Sequence, residues 1–149
     1  MASNDVKMLI FGLNGEHYAT DIKEVERILG YQEPTILPES PVFVKGVINY
    51  EQSILPIISL SRKFKLGEDK EDENRKIIVI KREEKKFGII VESVYEVRDV
   101  NSDSIEVTPP ITSTIERKYI NGLIKLEDNI VISLDLEKIL SSEDEDKIF

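Results

Sequence analysis

The chain has 149 residues, with 29 acidic side chains against 20 basic ones, a formal net charge of −9, and no cysteine. Thiol catalysis, disulfides and thiolate metal sites are therefore excluded, and the length suits one compact domain with a full core or two small ones. The start, Met1-Ala2-Ser3-Asn4-Asp5, lacks the basic flank and apolar run of a secretory signal, and no apolar stretch reaches spanning length, so a cytoplasmic protein without direct membrane insertion is expected.

The charge is localised. Residues 68–74 carry five acids and one lysine, and residues 143–147 carry four acids and one lysine. Such runs are solvated loops or tails. No Lys/Arg cluster with interleaved aromatics accompanies them, which argues against nucleic acid as a partner.

In chain order, residues 6–13 alternate as a strand and end at Asn14-Gly15, a pair suited to a tight hairpin, with 16–20 as the returning strand. Asp21 caps a helical turn that holds Ile22 and Val25 three apart. Residues 27–31 are extended again, and Pro34, Pro38 and Pro41 punctuate a loop. A hairpin follows over 43–60, with its turn near Glu51-Gln52-Ser53, then a short helical segment to Phe64. The charged run 65–76 reads as a flexible connection. Strands are expected over 77–81, 87–91 and 94–100, turn residues at 101–104 and 108–110, and a polar loop to Lys118. A second hairpin occupies 119–134, and Asp135 caps a final helix with Leu136, Ile139 and Leu140 at helical spacing.

The two hairpins read as copies. Residues 43–60 lie on 119–136 without a gap at an offset of 76, which places Gly46 on Gly122, Ile48 on Ile124, Glu51 on Glu127, Ile54 on Ile130 and Leu60 on Leu136. A weaker echo sets Tyr18 to Val25 on Phe87 to Val94 in the same order. About ten short strands in two similar halves point to an all-β chain of two small barrels or rolled sheets packed together. The lobes are expected to divide as 7–75 and 76–134, with a C-terminal helix over 135–147.

Catalytic chemistry has little to build on. His17 is the only histidine and follows a turn, no phosphate-binding glycine loop is present, and Asp99, Asp103 and Glu106 lack calcium-loop spacing. A binding module is the better class. Gly46 in an apolar strand suits a core bend or a partner surface, and Pro34, Thr35, Ile36, Leu37, Pro41, Val42 and Phe43 form an apolar loop of the kind that marks interfaces. Two other readings stay open: a barrel that binds a small ligand or peptide in a lined pocket, and a carboxylate-dependent hydrolase with paired acids in a cleft.

These residues carry a resemblance. Gly46, Val47, Asn49, Pro56 and Leu60 match the signature hairpin of CheW-type chemotaxis coupling proteins, and Phe11, Tyr18, Asp21, Ile22 and Val25 followed by Gly30-Tyr31 resemble the family's opening strands. Glu51-Gln52 stands where the family usually has Arg-Gly, Ser59 where it has Asp, and Arg27 where it often has an acid. The joint reversal implies an Arg27–Glu51 ion pair near the lobe junction, and the missing glycine implies an unusual turn. The resemblance implies two pseudo-symmetric five-stranded SH3-like lobes and a non-enzymatic scaffold without cofactor or metal. Its partners would be the regulatory domain of a CheA-type histidine kinase and the cytoplasmic hairpin tip of chemoreceptors. Receptor helices would dock between the lobes on Ile22, Val25, Arg27, Gly46 and Glu51. The kinase would meet Pro34, Thr35, Ile36 and Lys45, with a second contact at Pro109 and Ile111 closing rings in an array.

Overall fold

Met8-Leu9-Ile10-Phe11 and Ile77-Ile78-Val79-Ile80 are apolar at every position, so a strand built from either buries both faces. The computed structural model, which describes residues 5–106 and 117–149, supplies a core for each face. Leu9, Phe11, Ile78 and Ile80 enter one cluster shared between two sheets. Met8 and Ile10 enter the private core of one sheet, and Ile77 and Val79 that of the other. Three clusters thus replace the two thin cores that separate lobes would have.

The strands are β1 (Asp5–Leu13), β2 (Glu16–Asp21), β3 (Val25–Gly30), β4 (Val44–Tyr50), β5 (Ser53–Ser59), β6 (Lys76–Arg82), β7 (Lys85–Val91), β8 (Ser93–Asn101), β9 (Ile120–Leu126) and β10 (Asn129–Leu134). They form two five-stranded sheets of order β8-β1-β2-β10-β9 and β3-β6-β7-β5-β4, the first and second SH3-like lobes of a mainly β protein. The expected division at 75/76 does not describe these sheets. Each repeat gives its first two strands to one sheet and its last three to the other. The chain changes sheet at the 3₁₀ turn Ile22–Glu24 and again at Glu92, whose N–H donates to the Gly12 carbonyl at 2.9 Å. The limits 7–75 and 76–134 therefore mark the sequence repeats, while both lobes draw on both repeats.

The repeat holds at the level of hydrogen bonds. Ser59 N–H donates to Phe43 O at 2.7 Å, and Asp135 N–H to Tyr119 O at 2.9 Å, at the offset of 76. Val47 bridges to Thr35 as Leu123 bridges to Glu106. The weaker echo also survives: the parallel pair β10·β2 sets Ser133 against Ala19, and β5·β7 sets Ile57 against Gly88.

Two other expectations change in detail. The segment at 60–63 is helical as read (α1, Leu60–Lys63), but the final helix is broken. A 3₁₀ turn covers Leu136–Lys138, and α2 (Ser142–Ile148) starts anew because Ser141 and Asp144 exchange side-chain and backbone bonds in a capping box, at 3.1 and 3.0 Å. Helix α2 is fastened across the second lobe by Lys63–Asp144 at 2.9 Å and Arg82–Glu145 at 2.8 Å. The charged connection is also tied down: Arg62 grips Glu68 at 2.8 Å, and Arg75 stacks 3.6 Å from the Tyr31 ring centre. Pro109 and Ile111 lie outside the described residues.

Candidate docking surfaces

Ile22 and Val25 stand where the chain crosses between sheets, because Asp21 ends β2 by accepting the Lys23 N–H at 2.9 Å. Both are half-buried and pack against the shared core, leaving part of each side chain outward. Arg27 is exposed on β3, and its Nη1 lies 3.6 Å from Glu51 Oε1. The ion pair exists, but both partners belong to the second lobe, where it closes β3 against the β4–β5 turn. With both side chains more than half exposed it contributes roughly 0–1 kcal/mol. Behind it, Tyr50 donates to Glu26 at 2.7 Å and Lys86 pairs with Glu26 at 2.9 Å. Those two bonds, the Tyr50 one foremost, hold the Glu26 carboxyl below its usual range. The other lobe repeats the motif as Arg98–Glu127 at 3.0 Å. At the hairpin turn Glu51 and Gln52 take φ of 50° and 66°, left-handed values that glycine meets more cheaply.

Gly46 is not at this surface. It lies buried beneath Thr35, whose backbone exchanges 2.8 and 2.9 Å hydrogen bonds with Val47. Pro34 is buried beside it, while Ile36 beyond is 78% exposed. Lys45 is mostly covered, with its Nζ 3.8 Å from the buried carboxylate of Asp69 on the charged connection.

The exposed apolar face is broader than the residues read for it. Ile54, 76% exposed like Val42, joins Ile36, Leu37 and Val42 of the apolar loop. Leu37, Tyr50, Ile54, Pro56 and Phe149 line a groove of about 540 Å³ on the second lobe. Ile54 and Phe149 escaped the sequence reading. Ile54 had a visible signal in its place directly after the hairpin turn, and its repeat partner Ile130 is likewise 58% exposed. Phe149 gave none, because α2 carries it to the groove across distant sequence. His17 stacks on exposed Tyr95 at 4.7 Å on the first lobe, a surface position as read.

A second concavity, of about 300 Å³, lies at the sheet crossover and is lined by Asp21, Glu24, Asp135 and Glu137 among others. Thr20 Oγ1 donates to Glu24 at 3.2 Å, yet burial, reinforced by the charges of Glu137, Asp135 and Asp21, pushes the Glu24 carboxyl up to about 7. Ionised Glu24 is thus less comfortable in the fold than in the unfolded chain. Its stabilising neutral form is fully populated below about 4.5 and is lost as pH rises through 7. Glu24→Gln, neutral throughout, is expected to be more stable than the parent by about 1–2 kcal/mol at pH 8 once solvent screening is allowed for, the gain vanishing near pH 4.5. Urea unfolding at the two pH values checks this.

Among the described residues no group of three or more His, Cys, Asp or Glu could hold a metal ion, and no helix is long and apolar enough to cross a membrane. Among the described residues the acidic concavity is lined by no histidine, cysteine, lysine or arginine.

Fold and surfaces together define a duplicated, strand-exchanged pair of five-stranded lobes with exposed apolar faces. The CheW-like domain profile matches residues 7–144, and the chain belongs to that family. It is 37% identical over 138 residues to the chemotaxis protein CheW of Klebsiella aerogenes, covering 93% of this chain and 83% of that one. To the chemotaxis protein CheW of Treponema pallidum it is 29% identical over 154 residues, with 99% and 91% covered. The crystal structure of the scaffolding protein TtCheW from Thermoanaerobacter tengcongensis superposes with a TM-score of 0.85 at 32% identity, covering 93% of this chain and 90% of that one. The resemblance read from the hairpin and the opening strands is thereby established, together with the chemotaxis scaffold class and the mainly β, two-lobed fold.

Proposed function

We propose that this protein is a non-enzymatic scaffold that couples a CheA-type histidine kinase to the cytoplasmic tips of chemoreceptors, working in the cytoplasm in arrays that its partners anchor at the membrane. The observation that carries the reading is that Ile22 and Val25 pack on the shared core at the sheet crossover while Ile36, Leu37, Val42 and Ile54 stand exposed on the segment after β3 and the β4–β5 hairpin, which gives two apolar contacts on different elements. A coupler must transmit displacement from one partner to the other, and a body whose lobes exchange strands cannot absorb that displacement by hinging between them.

The receptor surface is Ile22 and Val25, flanked by the exposed Arg27–Glu51 pair. The kinase surface is Ile36 and Thr35, extended by Leu37, Val42 and Ile54. Gly46 and Pro34 act beneath these surfaces by seating the 34–37 segment, and Lys45 contributes through its link to Asp69. Pro109 and Ile111 are kept as the second kinase contact on the family resemblance alone. No cofactor, metal or nucleic acid takes part.

The test is an NMR titration of labelled protein with the kinase regulatory domain and, separately, with a receptor-tip fragment. Shifts are expected around Thr35 and Ile54 for the first and around Val25 for the second, and Val25→Asp should abolish receptor binding while sparing kinase binding. Equal loss of both in a folded variant, or silence from both partners, would remove the reading.

A further inference from the structure

We propose that the acidic concavity at the sheet crossover binds one cationic side chain, a lysine ammonium or arginine guanidinium, presented by the helical partner that docks on Ile22 and Val25. The identity of that partner rests on the receptor reading above, whereas the site itself rests on the following geometry.

Asp21 and Glu24 reach it from the turn after β2, and Asp135 and Glu137 from the turn after β10, so the two turns that flank the crossover face each other with like charge. No lysine or arginine among the described residues lines this concavity, although cations stand nearby. Lys138 approaches Asp135 at 3.7 Å from an exposed position. Lys23, Lys81 and Arg82 border an adjoining concavity that Glu24 and Glu137 also line, and Arg82 there is committed to Glu145 at 2.8 Å.

A second, independent feature is Ser133. It is completely buried, its Oγ has no hydrogen-bond partner among the described residues, and it lines the same concavity together with Asn121. An unsatisfied buried hydroxyl in the lining of an acidic concavity is a polar partner for an N–H donor that displaces the atoms covering it. The walls are apolar, from Val6, Met8, Ile105 and Leu134, and suit the methylene stem of a lysine or arginine whose head reaches the acids. Since no metal-ligating group of three forms among the described residues, a small metal ion is the poorer occupant.

The raised affinity of Glu24 for its proton is what an acidic pocket awaiting a cation should show. An entering cation favours ionised Glu24, so binding releases a proton and tightens as pH rises through neutrality. Ile22 and Val25 lie in or beside the turn that carries Asp21 and Glu24, which places the apolar contact and the charged one within reach of a single helix face.

Ethylguanidinium serves as the direct probe. Titrated into the full labelled chain at constant ionic strength, it should shift the amides of Glu24, Asn121 and Ser133 and lower the Glu24 carboxyl titration. The Glu24→Gln/Glu137→Gln double variant should retain a folded spectrum and lose those shifts. Equal shifts along residues 68–74, equal shifts produced by magnesium, or shifts that survive the double variant would each overturn the site.

A receptor-tip fragment then tests the occupant. Its affinity should rise several-fold from pH 6 to pH 8 in the parent and stay flat in Glu24→Gln, whereas Val25→Asp should abolish fragment binding and leave the ethylguanidinium shifts. A fragment that binds equally at both pH values overturns the proposed occupant while the receptor reading stands. A fragment that does not bind, with ethylguanidinium still shifting the concavity, upholds the site and sinks the receptor reading.

Discussion

Phe87→Ala is expected to cost about 3–5 kcal/mol and to bring both lobes down together. Phe87 is 1% exposed on β7, a strand with paired neighbours on both sides, and its ring sits in the cluster that also takes Phe11 and Tyr18 from the first lobe and Leu136, Ile139 and Leu140 from the C-terminal segment. Removing it leaves a void walled by strands of both sheets. Those strands are hydrogen-bonded to partners on either side and cannot close in, so the cavity term adds to the lost transfer energy. The loss is shared because β3 of the first repeat is laddered to β6 of the second, while β1 of the first is laddered to β8 of the second. Neither sheet survives withdrawal of either half of the chain. Urea unfolding followed by far-UV circular dichroism and by tyrosine signals from Tyr18 and Tyr50 should give one coincident transition, displaced but still single in the variant. Two separated transitions, or a loss below about 1.5 kcal/mol, would show that the lobes hold their cores independently.

What could be read from the sequence follows the range over which its causes act. The hairpins were legible because turn residues and alternation are local, and the copy at offset 76 doubled the signal. The Arg27–Glu51 pair was reached differently, through the family resemblance, since both residues reverse the sign usual there, although that did not tell which lobe holds them. The strand exchange was hidden. The helical turn at 22–24 looks the same whether the chain then folds back onto its own sheet or crosses to the other, and the difference lies in which distant strand, β6, receives β3. The continuous apolar runs at 8–11 and 77–80 did carry a trace of it, since strands buried on both faces require a partner layer on each side. The acidic concavity was equally invisible, because Asp21 and Asp135 each read as an ordinary cap and become neighbours only through the parallel pairing of β2 with β10. Phe149 reached the apolar groove through α2, whose position depends on ion pairs 60 and more residues away in sequence.

Gly46→Ala is the second large effect expected, a loss of about 2–4 kcal/mol. A Cβ there would stand 2.3 Å from the Thr35 carbonyl oxygen, 2.8 Å from its carbon and 2.9 Å from Pro34 Cβ. The obstacle is backbone, which cannot swing aside as a side-chain tip would, and the φ of 154° is itself unfavourable to a residue with a side chain. Relief requires lifting the 34–37 segment off β4, which breaks both Thr35–Val47 hydrogen bonds at about 1 kcal/mol each, or accepting comparable strain. The repeat provides an internal control. A Cβ added at Gly122 would meet Ile105 Cγ2 and, at 2.7 Å, the Glu106 oxygen, but Gly122 has no positive φ, so Gly122→Ala should lose less, about 1–3 kcal/mol. Unfolding curves of the two variants check the order. Binding distinguishes the roles: with Ile36 carried on the lifted segment, Gly46→Ala should weaken the kinase regulatory domain and leave the receptor-tip fragment bound. The reverse result, receptor binding lost at unchanged stability, would return Gly46 to the receptor surface and make its burial under Thr35 incidental to its function.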